Sequence, residues 1–477
     1  MFKLSVDCLN EILEYLEDDM VNLHSCLIVN ALWCKISVRI FWRNVYNYKT
    51  SNYRTLIACL PNESKEILYN NGITISTPTS RPPMFNYAAF CKVLSIDKVN
   101  YDLELLLYNE QIYTQSELSD NAFIVTQEIV KLYLNQITSL KYLHLREYPI
   151  EINLNLYPEA KVCLKNLTEL QCNSNFSSEF FYQLSQICYN ISILDIMAIE
   201  IISEGLTDLI SVQKNLQSFI IIQFREMTDL TPFMEKLPNT LIRLNILKYN
   251  FISLYFITRF TNLQELRLYF YYEEYFIDFE KLQYSIFPNL QILKIQCKCP
   301  RFELLIKFLE NNGKNLKECY IGDFYGDSDN SLNLAIAKFC PNIRRLSAGF
   351  KNNELETMKI VFNCCQYLEG FIIWRGRDFL NEKEVLETIV KYSPKNFYEI
   401  IFQHINIIYS VLIPEELESF FINWTNRVPQ KSLSLVIVND GSNSLDTSDG
   451  NIEIINKYIE LGVIKKFEIY ENFENEL

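Results

Sequence analysis

Glycine and histidine are both scarce in this chain of 477 residues, at eleven and three. Glycine averages roughly 7 % of residues in ordinary proteins, so little material is left for phosphate-cradling loops. No G-x-x-x-x-G-K-S/T, G-x-G-x-x-G or G-x-S-x-G run occurs. His24, His144 and His404 stand far apart, and none belongs to an H-E-x-x-H or nucleophile-type pattern. Basic residues are also in deficit. With 44 Lys and Arg against 58 Asp and Glu, the net charge of -14 argues against general affinity for nucleic acid or anionic membrane. No apolar run approaches the 18 or more residues of a membrane span. The first residues are acidic where a secretory signal would be basic, which points to the cytoplasm or nucleus. In that reducing setting the fourteen cysteines are expected to be free thiols. Cys297-x-Cys299 and Cys364-Cys365 lack the second knuckle of a zinc site. Gly322 to Asp329 lacks the closing Glu of a calcium loop. No metal, cofactor or catalytic group is expected.

Apolar residues, by contrast, make up 49 % and aromatic residues 14 %, and much of this material follows one repeated phrase, apolar-x-x-apolar-x-apolar. It begins at Leu167, Ile191, Leu216, Leu241, Leu263, Leu290, Leu316, Ile343, Leu368 and Phe397, with spacings of 24, 25, 25, 22, 27, 26, 27, 25 and 29 residues. An earlier unit is expected at Leu140, and degenerate later ones near Ser432 and Ile464. Between units the apolar period moves from 2 toward 3.6, as in Phe180, Leu184 and Ile187, so each repeat reads as a strand followed by a helix. One such unit cannot bury its own apolar face and is stable only when stacked on its neighbours. Asn precedes the phrase at 166, 190, 215, 262, 289, 315, 342 and 396, which suggests a left-handed turn out of each helix. Cys188, Cys340 and Cys365 stand three residues before their units, as small buried hydrophobes.

The period and the Cys340-Pro341-Asn342-Ile343 phrasing resemble the leucine-rich repeats of F-box adaptors. That resemblance implies an α/β solenoid with a curved parallel sheet on its concave face and helices on the convex face. The Asn or Cys usual eight positions after the first Leu is met only at Asn175, so the array is degenerate.

The first 46 residues have a different texture. Leu9, Ile12, Leu13 and Leu16 recur at helical spacing, an acidic turn follows, and a second apolar run leads to Trp33, Phe41 and Trp42. Three short helices bury too small a fraction of their surface to close a core alone, so a covering partner is expected. The stretch resembles an F-box, the segment by which substrate adaptors dock on the Skp-type linker subunit of SCF (cullin-RING) ubiquitin ligases. Ser5 stands where the family has Pro, and Asn30 where it has Ser; the Ser5 hydroxyl can still cap a helix.

The organisation expected is therefore an F-box-like helical domain over 1–47, a helix-containing linker and repeat cap over 48–130, and the degenerate solenoid over 131–477. Within the linker, helices are expected around Ser64 to Leu68 and Ala88 to Leu94, with an exposed connector at Ser76 to Pro83. Asn439 to Asn451 reads as a surface loop.

The resemblance implies a non-catalytic recognition subunit that binds a Skp-type linker and, through it, a cullin, while its repeats hold an unknown protein target. The residues it assigns to the linker are Leu4, Leu9, Ile12, Leu13, Leu16, Leu23, Trp33 and Trp42. On the outward face of the strands, Arg243, Arg267, Lys294, Tyr320 and Arg345 are candidates for the target. Their charges suggest a basic strip for an acidic or phosphorylated segment, because arginine offers paired donors to carboxylate and phosphate. Trp374-Arg375-Gly376-Arg377 is a second candidate contact. The alternative is a leucine-rich-repeat scaffold or inhibitor whose first helices only cap the stack.

Overall fold

The structure, a computed structural model, describes residues 5–78, 83–110, 115–146, 154, 157–199, 201–223, 230–248, 252–322, 328–376, 378–404, 412–438, 445 and 448–470. The chain divides into two compact units, Met1–Phe219 with Lys236–Pro238, and Ile220–Glu235 with Asn239–Leu477. None of the described helices is long and apolar enough to cross a membrane.

In the first unit, helices α1 (Val6–Glu14), α2 (Met20–Cys26) and α3 (Ala31–Phe41) come first. Each has a polar N-cap: Ser5 Oγ accepts from Cys8 N–H, Asp19 from Asn22 N–H, and Asn30 from the N–H groups of Leu32 and Trp33. Both departures from the F-box pattern thus supply the oxygen a helix start requires. Helices Thr50–Ala58, Asn62–Asn70, Ile96–Glu110 and Gln115–Gln136 follow. Strands β1 (Val93–Ser95), β2 (Tyr142–Leu145), β3 (Glu169–Asn173) and β4 (Ile193–Ala198) pair in parallel in chain order.

Strand β1 was not expected. Residues 88–94 form only a short 3-10 turn, Ala88–Phe90, and then the strand. Cys91-x-x-Leu94-x-Ile96 is in fact the repeat phrase, with all three side chains buried. The parallel ladder therefore starts ahead of residue 131.

β5 (Ser218–Gln223) straddles the division. The second unit continues with β6 (Arg243–Lys248), β7 (Glu265–Phe270), β8 (Ile292–Cys297), β9 (Glu318–Gly322), β10 (Arg345–Ala348), β11 (Gly370–Arg375), β12 (Glu399–His404), β13 (Leu433–Val438) and β14 (Ile464–Tyr470). These nine pair in parallel, each with the next. The architecture is α/β, one strand per leucine-rich repeat, with helices stacked on one face of the sheet.

All three apolar positions of the ten repeats from Leu167 to Phe402 are buried. Their alternation turns them to the helix side of each strand. Phe362, on helix Leu355–Cys364, meets Phe371 of β11 edge-on at 5.6 Å between ring centroids.

Asparagine before the repeats acts differently from the expectation. Among described residues only Asp278, Cys297, Gly72 and Gly462 have positive φ, so no Asn makes a left-handed turn. Instead, three of them donate from Nδ2 to the preceding repeat: Asn342 to the Lys314 carbonyl (2.8 Å), Asn315 to the Pro288 carbonyl (2.7 Å) and Asn166 to Ser139 Oγ (3.2 Å). The side chain satisfies a neighbour's turn, which an amide can do and an alkyl group cannot.

The cysteines three residues before a unit lie deeper. Cys188 Sγ donates to the Leu164 carbonyl and Cys365 Sγ to that of Cys340. Burial pushes both thiols up to about 12, which leaves them protonated and unreactive. Gln213 fills the same position in its repeat. It accepts from Ile191 N–H at 3.0 Å and donates to the Cys188 carbonyl at 2.7 Å.

Candidate functional sites

The N-terminal helices close more of their apolar surface than their length suggests. Leu9, Leu13, Leu23, Cys26, Ile36 and Ile40 form a small core of their own, with Leu16, Met20, Trp33 and Phe41 packed at its edge. Trp42 is buried as well, against Tyr48 and Tyr87. This corrects the assignment of Leu9, Leu13, Leu23 and Trp42 to a partner surface: their side chains already have neighbours within the chain. Leu16 and Trp33 are half-buried, and Leu4 lies outside the described residues. Of the seven assigned residues that are described, Ile12 is the one that stands open, 48 % exposed.

The rest of the open surface is made by residues outside that assignment. Val6, Tyr15, Val21, Ile28, Val29 and Leu32 join Ile12 in solvent, with Ile28 83 % exposed. Each of the three helices, or the turn beside it, contributes. They occupy the outward positions flanking the Leu stripe, so the same 3.6-residue period that located the core could have located them.

This helical group is fastened to the first repeats. Arg43 Nη1 and Nη2 lie 2.5 and 2.7 Å from the two carboxylate oxygens of Glu14, and Nη1 is 3.0 Å from Glu17. The fork holds the Glu14 carboxyl below its ordinary range. The carbonyl of Arg43 accepts from both Lys92 and Val93 N–H, and Asn44 makes a parallel bridge to Val93. Further along, Tyr46 OH lies 2.7 Å from His144 Nδ1, and His144 Nε2 lies 3.3 Å from Asp97. Ser95 Oγ is 3.3 Å from the same Nδ1. That grouping has the members of a hydrolytic triad, but Ser95 is buried and its Oγ caps the next helix by accepting from Lys98 N–H. Its evident work is to join the helical group to β1 and β2.

In the second unit, the face of the sheet away from the helices carries the other candidates, and parallel register sorts them into rows. Asn245, Arg267, Lys294, Tyr320 and Ser347 form one row, continued by Ile372, Ile401, Val436 and Glu468. Arg243 and Arg345 belong to a different row two residues earlier, with Glu265, Ile292, Glu318, Gly370, Glu399, Ser434 and Lys466.

The expected basic strip is therefore not formed. Glu265 sits 3.7 Å from Arg267, and Glu399 sits 3.4 Å from Arg345. Lys294 is only 7 % exposed, with Nζ 4.6 Å from the Tyr320 ring centroid. Burial, helped by the charge of Arg267, lowers its ammonium to about 8. Acids interleave with bases along the face, and Arg243, the most open of the basic candidates in these first strands, stands opposite Glu265.

What the face does offer is a hollow of about 230 Å³ over β9 to β14, among Tyr320, Arg345, Gly370, Ile372, Glu399, Ile401, Val436, Lys466 and Tyr470. Of the expected target residues, Tyr320 and Arg345 line it. The rest were missed, although Gly370 to Trp374 and Leu433 to Val438 are near-continuous apolar runs, the mark of strands buried on both faces. Trp374 and Arg375 do not offer a surface. The indole is buried beside Phe379 and donates to Ser347 Oγ at 2.8 Å. Arg375 points into the core, 3.9 Å from Glu382. Arg377 lies outside the described residues.

Among described residues, no group of three His, Cys, Asp or Glu side chains is placed to hold a metal ion. No protein-family model matches the chain, and no curated protein matches it. Solved structures similar to it include the Rad7 and Elc1 complex of yeast, with a TM-score of 0.39 and 14 % identity over 58 % of this chain and 76 % of that one. The leucine-rich-repeat-containing protein LegL7 of Legionella pneumophila gives 0.31 and 13 % over 68 % and 90 %. The internalin InlF of Listeria monocytogenes gives 0.35 and 12 % over 72 % and 94 %.

Proposed function

We propose that the chain is a substrate-recognition adaptor of an SCF (cullin-RING) ubiquitin ligase, with its N-terminal helices docking on a Skp-type linker subunit and its repeats holding the target. The observation that carries this reading is the open apolar surface of α1 to α3. Seven large apolar side chains between Val6 and Leu32 face solvent on a group that already has its own core. Exposed apolar patches of that kind commonly mark a protein interface. The chemistry asked of such an adaptor is proximity: it raises the effective concentration of a target lysine near a charged ubiquitin-conjugating enzyme and needs no acid, base or nucleophile of its own.

One observation favours the second reading, a repeat scaffold whose first helices are only a cap. Asn44 continues the parallel ladder onto Val93, which is what a capping element does.

Co-expression of the full chain with a Skp-type linker subunit decides between them. The adaptor reading expects stoichiometric co-purification, lost in Ile12→Asp with Ile28→Asp while the melting temperature holds. A chain that never retains the linker is a scaffold.

A further inference from the structure

We propose that the hollow over β9 to β14 receives one uncharged, apolar side chain from an extended segment of the target protein. This rests on the recognition reading above and supplies the chemistry of what is recognised.

The floor is apolar beneath a polar rim. Ile372, Ile401 and Val436 stand side by side on three adjacent strands, and Tyr320 closes one end. These are outward positions, where a leucine-rich repeat facing only water would carry polar groups.

Gly370 sets the space. A Cβ built there would lie 2.6 Å from a carboxylate oxygen of Glu399 and 3.5 Å from Cγ of Arg345. The missing side chain lets Arg345 of β10 reach Glu399 of β12 across the strand between them. The resulting volume of about 230 Å³ suits a Leu- or Phe-sized group, since a cavity of roughly 150 Å³ already admits benzene.

The rim excludes a charged occupant. Arg345 is paired with Glu399, and Lys466 with Glu468 at 2.7 Å. Glu468 also accepts from Tyr470 OH. A phosphate or carboxylate entering beside Arg345 or Lys466 would displace one of these carboxylates and then face it at close range, at a cost in like-charge repulsion and desolvation. The same paired groups can meet the backbone amides of an extended segment without losing their partners. Arg345 and Lys466 side chains are 44 % and 48 % exposed, with donors to spare.

The test uses the purified full chain and a random peptide library displayed on phage, without the linker subunit. The expected winners carry a Leu, Ile, Met or Phe with no acidic or phosphorylated residue beside it. Their affinity should fall about 10- to 100-fold, the worth of one buried apolar side chain, in Gly370→Leu, which fills the hollow, and in Ile401→Asp, which charges its floor. Both variants should cost some stability, Gly370→Leu by crowding Glu399 and Ile401→Asp by charging an apolar cluster, so binding is read at a temperature where both remain folded by circular dichroism and still co-purify with any linker the parent binds. Selected peptides indifferent to both variants, or a preference for phosphorylated or acidic segments, would overturn the proposal. Pocket-dependent peptides on a chain that never binds the linker would leave this inference standing and remove the adaptor reading instead.

Discussion

Trp374 occupies the space that Gly322 leaves empty: a Cβ on Gly322 would stand 1.4 Å from Cζ2 of the indole, two strands away. Gly349 plays the same part beside it, since its Cβ would come within 2.4 Å of the Phe379 ring. The sheet face is thereby roofed with aromatic side chains at one end of the hollow.

Gly322→Ala should therefore destabilise by overpacking, by about 1–3 kcal/mol, and Trp374→Ala by about 3–5 kcal/mol through the cavity it leaves. The double variant should be less unstable than the sum, because the added methyl group then enters vacated space. Urea melts of the four proteins in a double-mutant cycle measure the coupling, and strict additivity would refute the contact.

Arg43→Met should loosen α1 from the segment after α3 that joins the helices to β1. The fork onto Glu14 is partly exposed, at 25 % and 34 % of the two side chains, so a cost near 1 kcal/mol is expected rather than that of a buried pair. Glu14 titrates below its ordinary 4.5 in the fold. Its contribution is therefore fully present above that value and is lost as the pH falls through the folded one. Hydrogen exchange of α1 to α3 should rise in Arg43→Met at pH 7, and the difference from the parent should shrink on acidification.

His404 lies in the core beside Arg375 in register, with neither ring nitrogen hydrogen-bonded. Burial, reinforced by the Arg375 charge, lowers its pKa from 6.5 to about 4. Between those values the unfolded chain binds the proton and the fold does not, so stability should decline as pH falls from about 6.5 to 4 and this contribution should level below that. The full span is of order 3 kcal/mol. His404→Leu should flatten that limb of the stability profile; an unchanged slope in chemical melts would show that the imidazole is not responsible.

The repeat was legible because its phrase is a packing rule. Positions such as Leu241, Leu244 and Ile246 must be apolar to face the helices, and every one of them does so. Strand β1 escaped notice because Cys91 opens its phrase in place of Leu, and the Pro-rich run before it suggested a connector. The basic strip failed for another reason: Arg243 holds the third position of its phrase and Arg267 and Lys294 the fifth of theirs, so they fall in different rows, and Glu265, Glu318 and Glu399 stand among the bases. The N-terminal face was misread by equating apolar periodicity with partner contact. Leu9 and Leu13 follow the period because they fill their own core, whereas Ile12, at the edge of the same stripe, and Tyr15 beyond it face outward.

Lys294 is a cation buried on the sheet face. Its ammonium is lowered from 10.5 to about 8, first by burial and then by Arg267, while Glu318 and Glu265 pull the other way. Below pH 8 the fold holds a charged, poorly hydrated ammonium; between 8 and 10.5 it sheds the proton while the unfolded chain keeps it. Stability should therefore rise with pH across that window, opposite to the loss expected of a lysine held in a favourable ion pair. Lys294→Met keeps an apolar stem against the Tyr320 ring and removes the charge. It should be more stable than the parent at pH 7 and should lose the alkaline rise, read as a convergence of the two melting temperatures near pH 10. A variant less stable at pH 7 would mean that the interaction with Tyr320 and the flanking carboxylates outweighs the burial of the charge.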